Sequence, residues 1–472
     1  VRLGRGVDAL GVGAAKLVVS LAVLAAGFHA VSDDDYARSV IAQRFAATPS
    51  LDPSGTSWLP LPFWIYGTAF WLFGSSLAVA RVLAVLLGIG SVWLLLVAGR
   101  WLGAGRLGAF AGALVAALFP WSAWLGAAPV PELPTAALSV LAMAALGTSE
   151  TRVRVLGAVA VASACLCRYE AWPVALVFAA FSAWDAYRSR SRGLLLCAVL
   201  SLGPIVLWLL HGVFVHGDAL FFWKRVAEYR SALGEGPSFR ERLLRVPSRL
   251  FGDEPELWLG LLLAGVSGVS LARYARPALT AGALLAFLMA GELAGGGPTH
   301  HTGRAVLPVW LLVALALGHE LERRAAEPLA KPWILLAAAL ALVGLGWVLR
   351  LGTPPAFPDR QDAVAIGTQA KALGAPALLI DSPDYSYLAV SAAFGAPHDT
   401  EPFDDRDPRR ARAADAFASE AALRTRWASR SRAWLVVTRE HLPLARRLGR
   451  VRAETATFGL VEPATGVAER NP

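Results

Sequence analysis

The chain has 472 residues, 56% of them hydrophobic and only 17% charged, with a formal net charge of +9. A soluble protein of this size carries roughly 25% charged residues; the shortfall lies before residue 351, which argues against an ordinary soluble protein and predicts a polytopic membrane protein with a more polar tail. In such a chain the basic excess reports loop topology and anionic headgroups, and no basic and aromatic alternation suggests a nucleic-acid surface.

A spanning helix needs roughly 20 mostly apolar residues, and about eleven segments qualify. They are 11–31, 76–99, 107–125, 132–148, 153–167, 171–187, 194–214, 256–272, 277–293, 305–320 and 332–350. The first follows Arg2 and Arg5 and has no convincing small-residue cleavage site before the acids that end it, so an uncleaved membrane helix is expected rather than a signal peptide. The stretch 59–74 is apolar but interrupted by Pro60 and Pro62, and reads as a re-entrant or interfacial hairpin. The segments 132–148 and 153–167 are short, as tilted or kinked helices would be.

With a cytoplasmic N-terminus, the loops Arg100–Arg106, Glu150–Arg154, Arg188–Arg192, Arg273–Arg276 and Arg323–Lys331 all carry Arg or Lys on the cytoplasmic side. The other face then holds 32–58, 126–131, Arg168–Glu170, 294–304, the tail, and the loop 215–255. That last loop is basic against the rule, which long loops tolerate. Residues 1–350 are therefore expected to form the membrane domain and 351–472 a small non-cytoplasmic α/β domain, joined through Pro354–Pro358. In the tail, Asp362–Leu373 is predicted helical and stopped by Gly374, and Asp407–Arg430 is predicted to be a charged helix. Ala377–Ile380, Trp434–Val437 and Thr455–Val461 are predicted strands. The tail suits acceptor recognition or a structural cap equally well. Cys165, Cys167 and Cys197 lie in apolar runs and read as packing residues rather than metal ligands or a disulfide.

Chemistry-bearing residues gather on the non-cytoplasmic face. Ser32-Asp33-Asp34-Asp35-Tyr36 ends the first span, and the residues after it read as a short amphipathic helix. Helix capping accounts for Asp35. Three consecutive acids exceed what capping needs, and a partly desolvated carboxylate at the membrane boundary suits a general base. Arg168-Tyr169-Glu170 links two spans; Arg168 would hold a phosphate and Glu170 a sugar hydroxyl or Arg168 itself, or the two would form a structural ion pair. Glu132, between Pro131 and Pro134, is a second candidate carboxylate or a first-turn helix residue. In Thr299-His300-His301-Thr302-Gly303-Arg304, adjacent histidines project differently and lack a nearby third ligand, so phosphate recognition by Arg304 and a histidine is favoured over a metal. Phe221-Phe222-Trp223 beside Lys224 and Arg225 would suit a lipid phosphate or anionic headgroups in general. No Walker loop, zinc-protease pair or dinucleotide fingerprint stands in credible context. No cofactor is indicated, and a divalent metal stays open. Glu292 is the main ionisable residue inside a span.

The order of these parts resembles the glycosyltransferases of the GT-C fold, in the group of the protein O-mannosyltransferases and lipid A aminoarabinose transferases. In that group an acidic pair opens the first external loop before a helix of the form aromatic-Ala-x-x-Ile-Ala. Ile41-Ala42-Gln43-Arg44-Phe45 aligns with that helix and sets the pair on Asp34 and Asp35, with Asp34 at the catalytic position. Phe63-Trp64, Leu72-Phe73-Gly74 and Ala80-Arg81 are similar to the family's second block, and the resemblance spans about residues 11–320. The chain departs from the pattern in its third Asp and in having Trp58-Leu59-Pro60 where the family has a lysine before a double proline.

The resemblance implies an all-α polytopic GT-C membrane domain and transfer of a sugar from a polyprenyl-phosphate donor to a protein, lipid or glycan acceptor. The implied setting is the periplasmic face of a bacterial inner membrane. With one base and no paired nucleophile the reaction is expected to invert the anomeric centre. Arg168, Glu170 and Arg304 are expected to converge near the acidic loop. A transporter or flippase of lipid-linked glycans, or a glycan polymerase or ligase, are the alternatives.

Overall fold

The computed structural model describes residues 2–464 except Ser149, Glu235, Pro237, 266–267, 295–300, 327–331, 353–355, 413–414 and Ser431. The chain divides into two compact units. The first comprises Val1–Gly27, Ser54–Pro62 and Ala84–Pro355; the second comprises Phe28–Pro53, Phe63–Leu83 and Ala356–Pro472.

The first unit is helical. Among the described residues of the whole chain, five helical stretches are long and apolar enough to cross a membrane: Gly6–Ala25, Leu77–Trp101, Arg192–His216, Ala272–Leu293 and Thr302–Ala325. Five shorter apolar helices accompany them: Leu61–Phe73, Arg106–Leu118, Glu132–Ala145, Pro255–Ala264 and Leu336–Leu351.

Several expected boundaries are corrected, each for a local reason. The stretch 59–74 is not a hairpin: it is one continuous helix, Leu61–Phe73, because Pro60 precedes it and Pro62 lies in the first turn, where no amide donor is needed. The span 107–125 is broken into Arg106–Leu118 and Pro120–Leu125. Phe119, ahead of Pro120, is extended at φ −66° and ψ 149°, as a residue before proline prefers. The segment 256–272 ends at Ala264, where Gly265 takes φ +69°. The next helix, Gly268–Leu293, begins earlier than 277. The loop 215–255 contains two helices, Phe221–Ala232 and Phe239–Gly252. The second opens on a capping box in which Ser238 and Glu241 satisfy each other's amides.

The helices Arg106–Leu118 and Leu307–Ala325 make the most extensive helix pair among the described residues. Small residues allow it. A Cβ on Gly318 would meet the amide nitrogen of Gly112 and the carbonyl oxygen of Gly108, and one on Gly112 would lie 2.9 Å from Leu315 Cα. The obstacle is backbone, which cannot swing aside. Gly318→Ala is therefore expected to cost about 1–3 kcal/mol through overpacking, read as a lowered melting temperature in detergent; an unchanged melt would show that the two helices can separate freely.

Lys16 corrects the expectation that Glu292 is the main ionisable residue within a span. Its side chain is fully buried in the helix Arg2–Ala25. Its ammonium donates to the Ser122 carbonyl at 2.5 Å, the Ser122 hydroxyl at 3.2 Å and the Ala117 carbonyl at 3.4 Å. The Ala117 carbonyl lies just before the break at Pro120 and the Ser122 carbonyl, which also accepts the Gly126 amide, lies in the short helix after it, so the lysine ties the two sides of the break together. Arg154, also fully buried, pairs with Asp185 at 2.6 Å, and Arg276 joins the same carboxylate at 2.7 Å. Cys165, Cys167 and Cys197 are free and buried.

The second unit is an α/β sandwich. Its strands are β1 (Ala377–Ile380), β2 (Thr400–Pro402), β3 (Ala433–Thr438), β4 (Gly449–Glu454) and β5 (Phe458–Pro463). The sheet order is β2-β1-β3-β5-β4, with β1 parallel to both β2 and β3 and the β3–β5 and β5–β4 pairs antiparallel. The helix Gln361–Ala372 ends before Gly374 at φ +74°, as the sequence predicts. The expected helix Asp407–Arg430 is cut down to Glu420–Ala428. The residues ahead of it are taken by Asx turns: Asp404 accepts from the Arg406 amide, Asp405 from Asp407, Asp407 from Arg409 and Asp415 from Phe417. The helix Tyr387–Phe394 and strand β2 escape the sequence reading.

One face of this sheet packs on a core that is not confined to the tail. Ala30, Tyr36 and Val40 are buried in the same cluster as Ala363, Ile366, Ala370, Val390, Val436 and Leu460. Gln43 Nε2 donates to the Ala392 carbonyl at 2.9 Å. The acidic loop and the helix after it, Asp34–Ala47, are thus part of the α/β unit.

Candidate active site

The three acids have different surroundings. Asp33 precedes the helix Asp34–Ala47 and makes no side-chain cap. Its carboxylate instead accepts a two-pronged bond from Arg360, at 2.8 Å from Nε and 2.9 Å from Nη2. The remaining Arg360 nitrogen reaches Asp384 at 2.7 Å. Hydrogen bonding to Asp33 holds the Arg360 guanidinium above its ordinary pKa. Burial alone would raise the Asp384 carboxyl, but bonds from Ser386 and Arg360 outweigh it and hold the group below the usual range.

Asp35 is buried and turned back on its own loop. Its two oxygens accept from the amides of Val31 at 3.2 Å and Ser32 at 3.1 Å. It is a turn-forming residue: it sits in the first turn of the helix but holds the amides ahead of it and caps none of the helix, which corrects the capping role expected from the sequence. Asp34 opens the helix and is half-buried. The positive end of the helix dipole favours its ionised form. Tyr36, next along, is buried; that burial, with the neighbouring Asp35 charge, pushes its phenol up to about 12. Arg81 donates to the His29 carbonyl from the other side of the loop.

In the first unit, four of the residues singled out in the sequence form one buried quartet. Arg168 Nη1 donates to Glu132 Oε1 at 2.8 Å, and its Nε donates to Glu170. Arg304 Nη1 stands 3.5 Å from the same Glu132 oxygen. Two arginines face two glutamates, so with every member ionised the quartet is electrically neutral. Tyr169 is positioned by its hydroxyl, which donates to the Ser57 carbonyl at 2.7 Å and accepts from Trp208 Nε1 at 3.0 Å. Its ring stacks on Phe222 at 4.4 Å. Lys224 pairs with Asp218 at 2.5 Å and is exposed, while Arg225 is half-buried on the same helix. His301 precedes the short helix Thr302–Ala305. His300 lies outside the described residues. Glu292 accepts from Thr302 at 2.6 Å and pairs with Arg245 at 3.2 Å. The acids belong to the second unit and the quartet to the first.

Sequence reasoning missed Arg360 and Asp384. Neither carries a local signal: the Asp33 partner lies 327 positions away.

Compared with solved structures, the whole chain matches ArnT from Cupriavidus metallidurans bound to undecaprenyl phosphate, at 17% identity over 100% of both chains and a TM-score of 0.63. The chain has the GT-C fold. The apo form of the same protein matches this GT-C chain at 17% identity, full coverage of both and a TM-score of 0.60. The Archaeoglobus fulgidus oligosaccharyltransferase AglB, in complex with an inhibitory peptide and a dolichol-phosphate, matches at 14% identity over 96% of this chain and 74% of that one, with a TM-score of 0.50. No protein-family model and no curated protein matches the sequence. With its long apolar helices, this GT-C chain is an integral membrane protein.

Proposed function

We propose that this GT-C protein is an inverting glycosyltransferase that moves a sugar from a polyprenyl-phosphate donor to a hydroxyl or amine of a protein, lipid or glycan. The setting is the non-cytoplasmic face of the membrane, in a bacterium the periplasmic side of the inner membrane. The observation that carries the reading is the place of Asp34: it stands half-buried in the first turn of the helix Asp34–Ala47, at the position where the sequence resemblance sets the base. Its neighbours shape the loop, Asp35 through the Val31 and Ser32 amides and Asp33 through Arg360. Two solved proteins of the same fold hold lipid phosphates, undecaprenyl phosphate in one and dolichol-phosphate in the other.

In this reading Asp34 takes the proton from the acceptor as it attacks the anomeric carbon. The glycosidic C–O bond to phosphate breaks, and the electron pair leaves with the lipid phosphate. Arg168 and Arg304 are the cations proposed for that phosphate, with Glu132, Glu170, Tyr169 and the histidine pair shaping the donor site. Because the quartet is already neutral, a phosphate must loosen the arginine–glutamate pairs before it gains their charge. Binding of the donor therefore trades one set of charge-assisted bonds for another.

Reconstitution supplies the test. Purified protein in lipid nanodiscs is expected to release undecaprenyl phosphate from at least one member of a panel of undecaprenyl-phosphate hexoses and pentoses when a cell-envelope extract is added as acceptor. Transport of the intact lipid-linked sugar across proteoliposomes without cleavage would favour the transporter alternative and remove this reading.

A further inference from the structure

The clamp between Arg360 and the acidic loop assigns a task to the tail. We propose that Arg360 is a positioning residue: by gripping Asp33 and Asp384 together it fixes the backbone from which Asp34 projects. The inference rests on the reading of Asp34 as the base.

The geometry is specific. All three guanidinium nitrogens are used, two on the oxygens of Asp33 and one on Asp384. Asp384 is itself fixed, since its other oxygen accepts from the Ser386 amide at 2.9 Å. The fork therefore joins a loop at the end of β1 to the residue immediately before Asp34. A planar fork held at both ends constrains direction as well as distance, which a point charge does not. The Arg360 side chain is only 16% exposed, so water screens the clamp weakly. Bonds from both sides hold the loop: Asp35 ties Val31 and Ser32, Arg81 ties His29, and Arg360 ties Asp33.

The clamp also sets the charge beside the base. The titratable and charged groups gathered at the acidic loop are Asp33, Asp35 and Tyr36 from its own segment, Arg81 and Tyr66 from residues 63–83, and Arg360 and Asp384 from the tail. With Arg360 present, the charge of Asp33 is offset by a guanidinium that it shares with Asp384. Without it, an uncompensated carboxylate adjoins Asp34 and raises its pKa, because like charges disfavour ionisation. A base that must be ionised then stops working at a higher pH.

The experiment uses full-length protein in nanodiscs, with undecaprenyl-phosphate mannose, glucose and arabinose as donors and release of undecaprenyl phosphate as the readout. Arg360→Gln is expected to lower kcat at least about tenfold, leave the KM for donor within about twofold, and move the acidic limb of the kcat–pH profile upward. Arg360→Lys restores the charge but not the fork; it should return the limb toward its original position while the rate stays low. Asp384→Asn, which loosens the clamp without touching the loop, should lower kcat in the same direction and keeps the test open should Arg360→Gln fail to fold. A loss of folded protein alone, with kcat and pH limb per folded molecule unchanged, would reduce Arg360 to a structural residue. Wild-type kcat and an unmoved limb in Arg360→Gln, beside an inactive Asp34→Asn, would overturn the positioning role and leave the catalytic reading standing. Wild-type rates in both variants would overturn the catalytic reading.

Discussion

Asp34→Asn is expected to cut sugar transfer by about a hundredfold or more while leaving expression and donor binding close to wild type. Asparagine keeps the size of the side chain and its place in the first helical turn, and removes only the capacity to accept a proton. The neighbouring acids give the internal controls. Asp35→Asn weakens an acceptor of the Val31 and Ser32 amides and should show its loss mainly as instability of the loop. Asp33→Asn weakens the bond to Arg360 and should cost less than Asp34→Asn. The measurement is turnover of a polyprenyl-phosphate sugar together with a thermal melt for each variant. An active Asp34→Asn beside a dead but folded Asp33→Asn or Asp35→Asn would move the base to another position of the motif. Activity in all three would remove the glycosyltransferase reading.

Arg168→Met should be the most damaging change to stability in the membrane unit. Methionine fills similar space, but it removes the guanidinium that Glu132 and Glu170 share in a buried setting, while Arg304 stands 3.5 Å from Glu132. Removing one partner of a buried ion pair typically costs about 3–5 kcal/mol. A fall of several degrees in the detergent melting temperature is expected, and donor turnover should be lost with it. Arg168→Met combined with Glu132→Gln and Glu170→Gln should recover much of the stability without recovering turnover, which separates the structural share of Arg168 from its proposed part in binding phosphate. A melt unchanged by Arg168→Met alone would mean that the glutamates are neutral in the native protein.

The sequence was most readable where the signal is local. The acidic cluster at the end of an apolar run, the helix stopped by Gly374 and the strand Ala377–Ile380 are all written in consecutive residues. Asp407 and Asp415 mislead because a charged, alanine-bearing stretch also describes a helix, and only their bonds to amides two residues on decide for turns. Lys16 stands in view as a lone cation in an apolar stretch; its meaning depends on the Ala117 and Ser122 carbonyls on either side of the break at Pro120, more than a hundred positions later. The members of the arginine–glutamate quartet are each legible, and so is the Arg168–Glu170 pair, two residues apart; the pairing of Arg168 and Arg304 with Glu132 is a property of packing. The same holds for Arg360, whose sequence neighbours carry no hint of Asp33.

The shared core of Ala30, Tyr36 and Val40 with the tail strands bears on the timing of synthesis. A ribosome makes residues 28–53 and 63–83 long before β5, so these parts of the second unit must wait for the sheet while the helices within Ala84–Pro355 are made and inserted. The loop closure is long but its entropic penalty grows only with the logarithm of length; what the waiting segment lacks meanwhile is a place to bury its apolar face. Translation arrested before residue 458 leaves the sheet without the strand that joins β3 to β4, so the acidic loop takes its final form only at the end of synthesis.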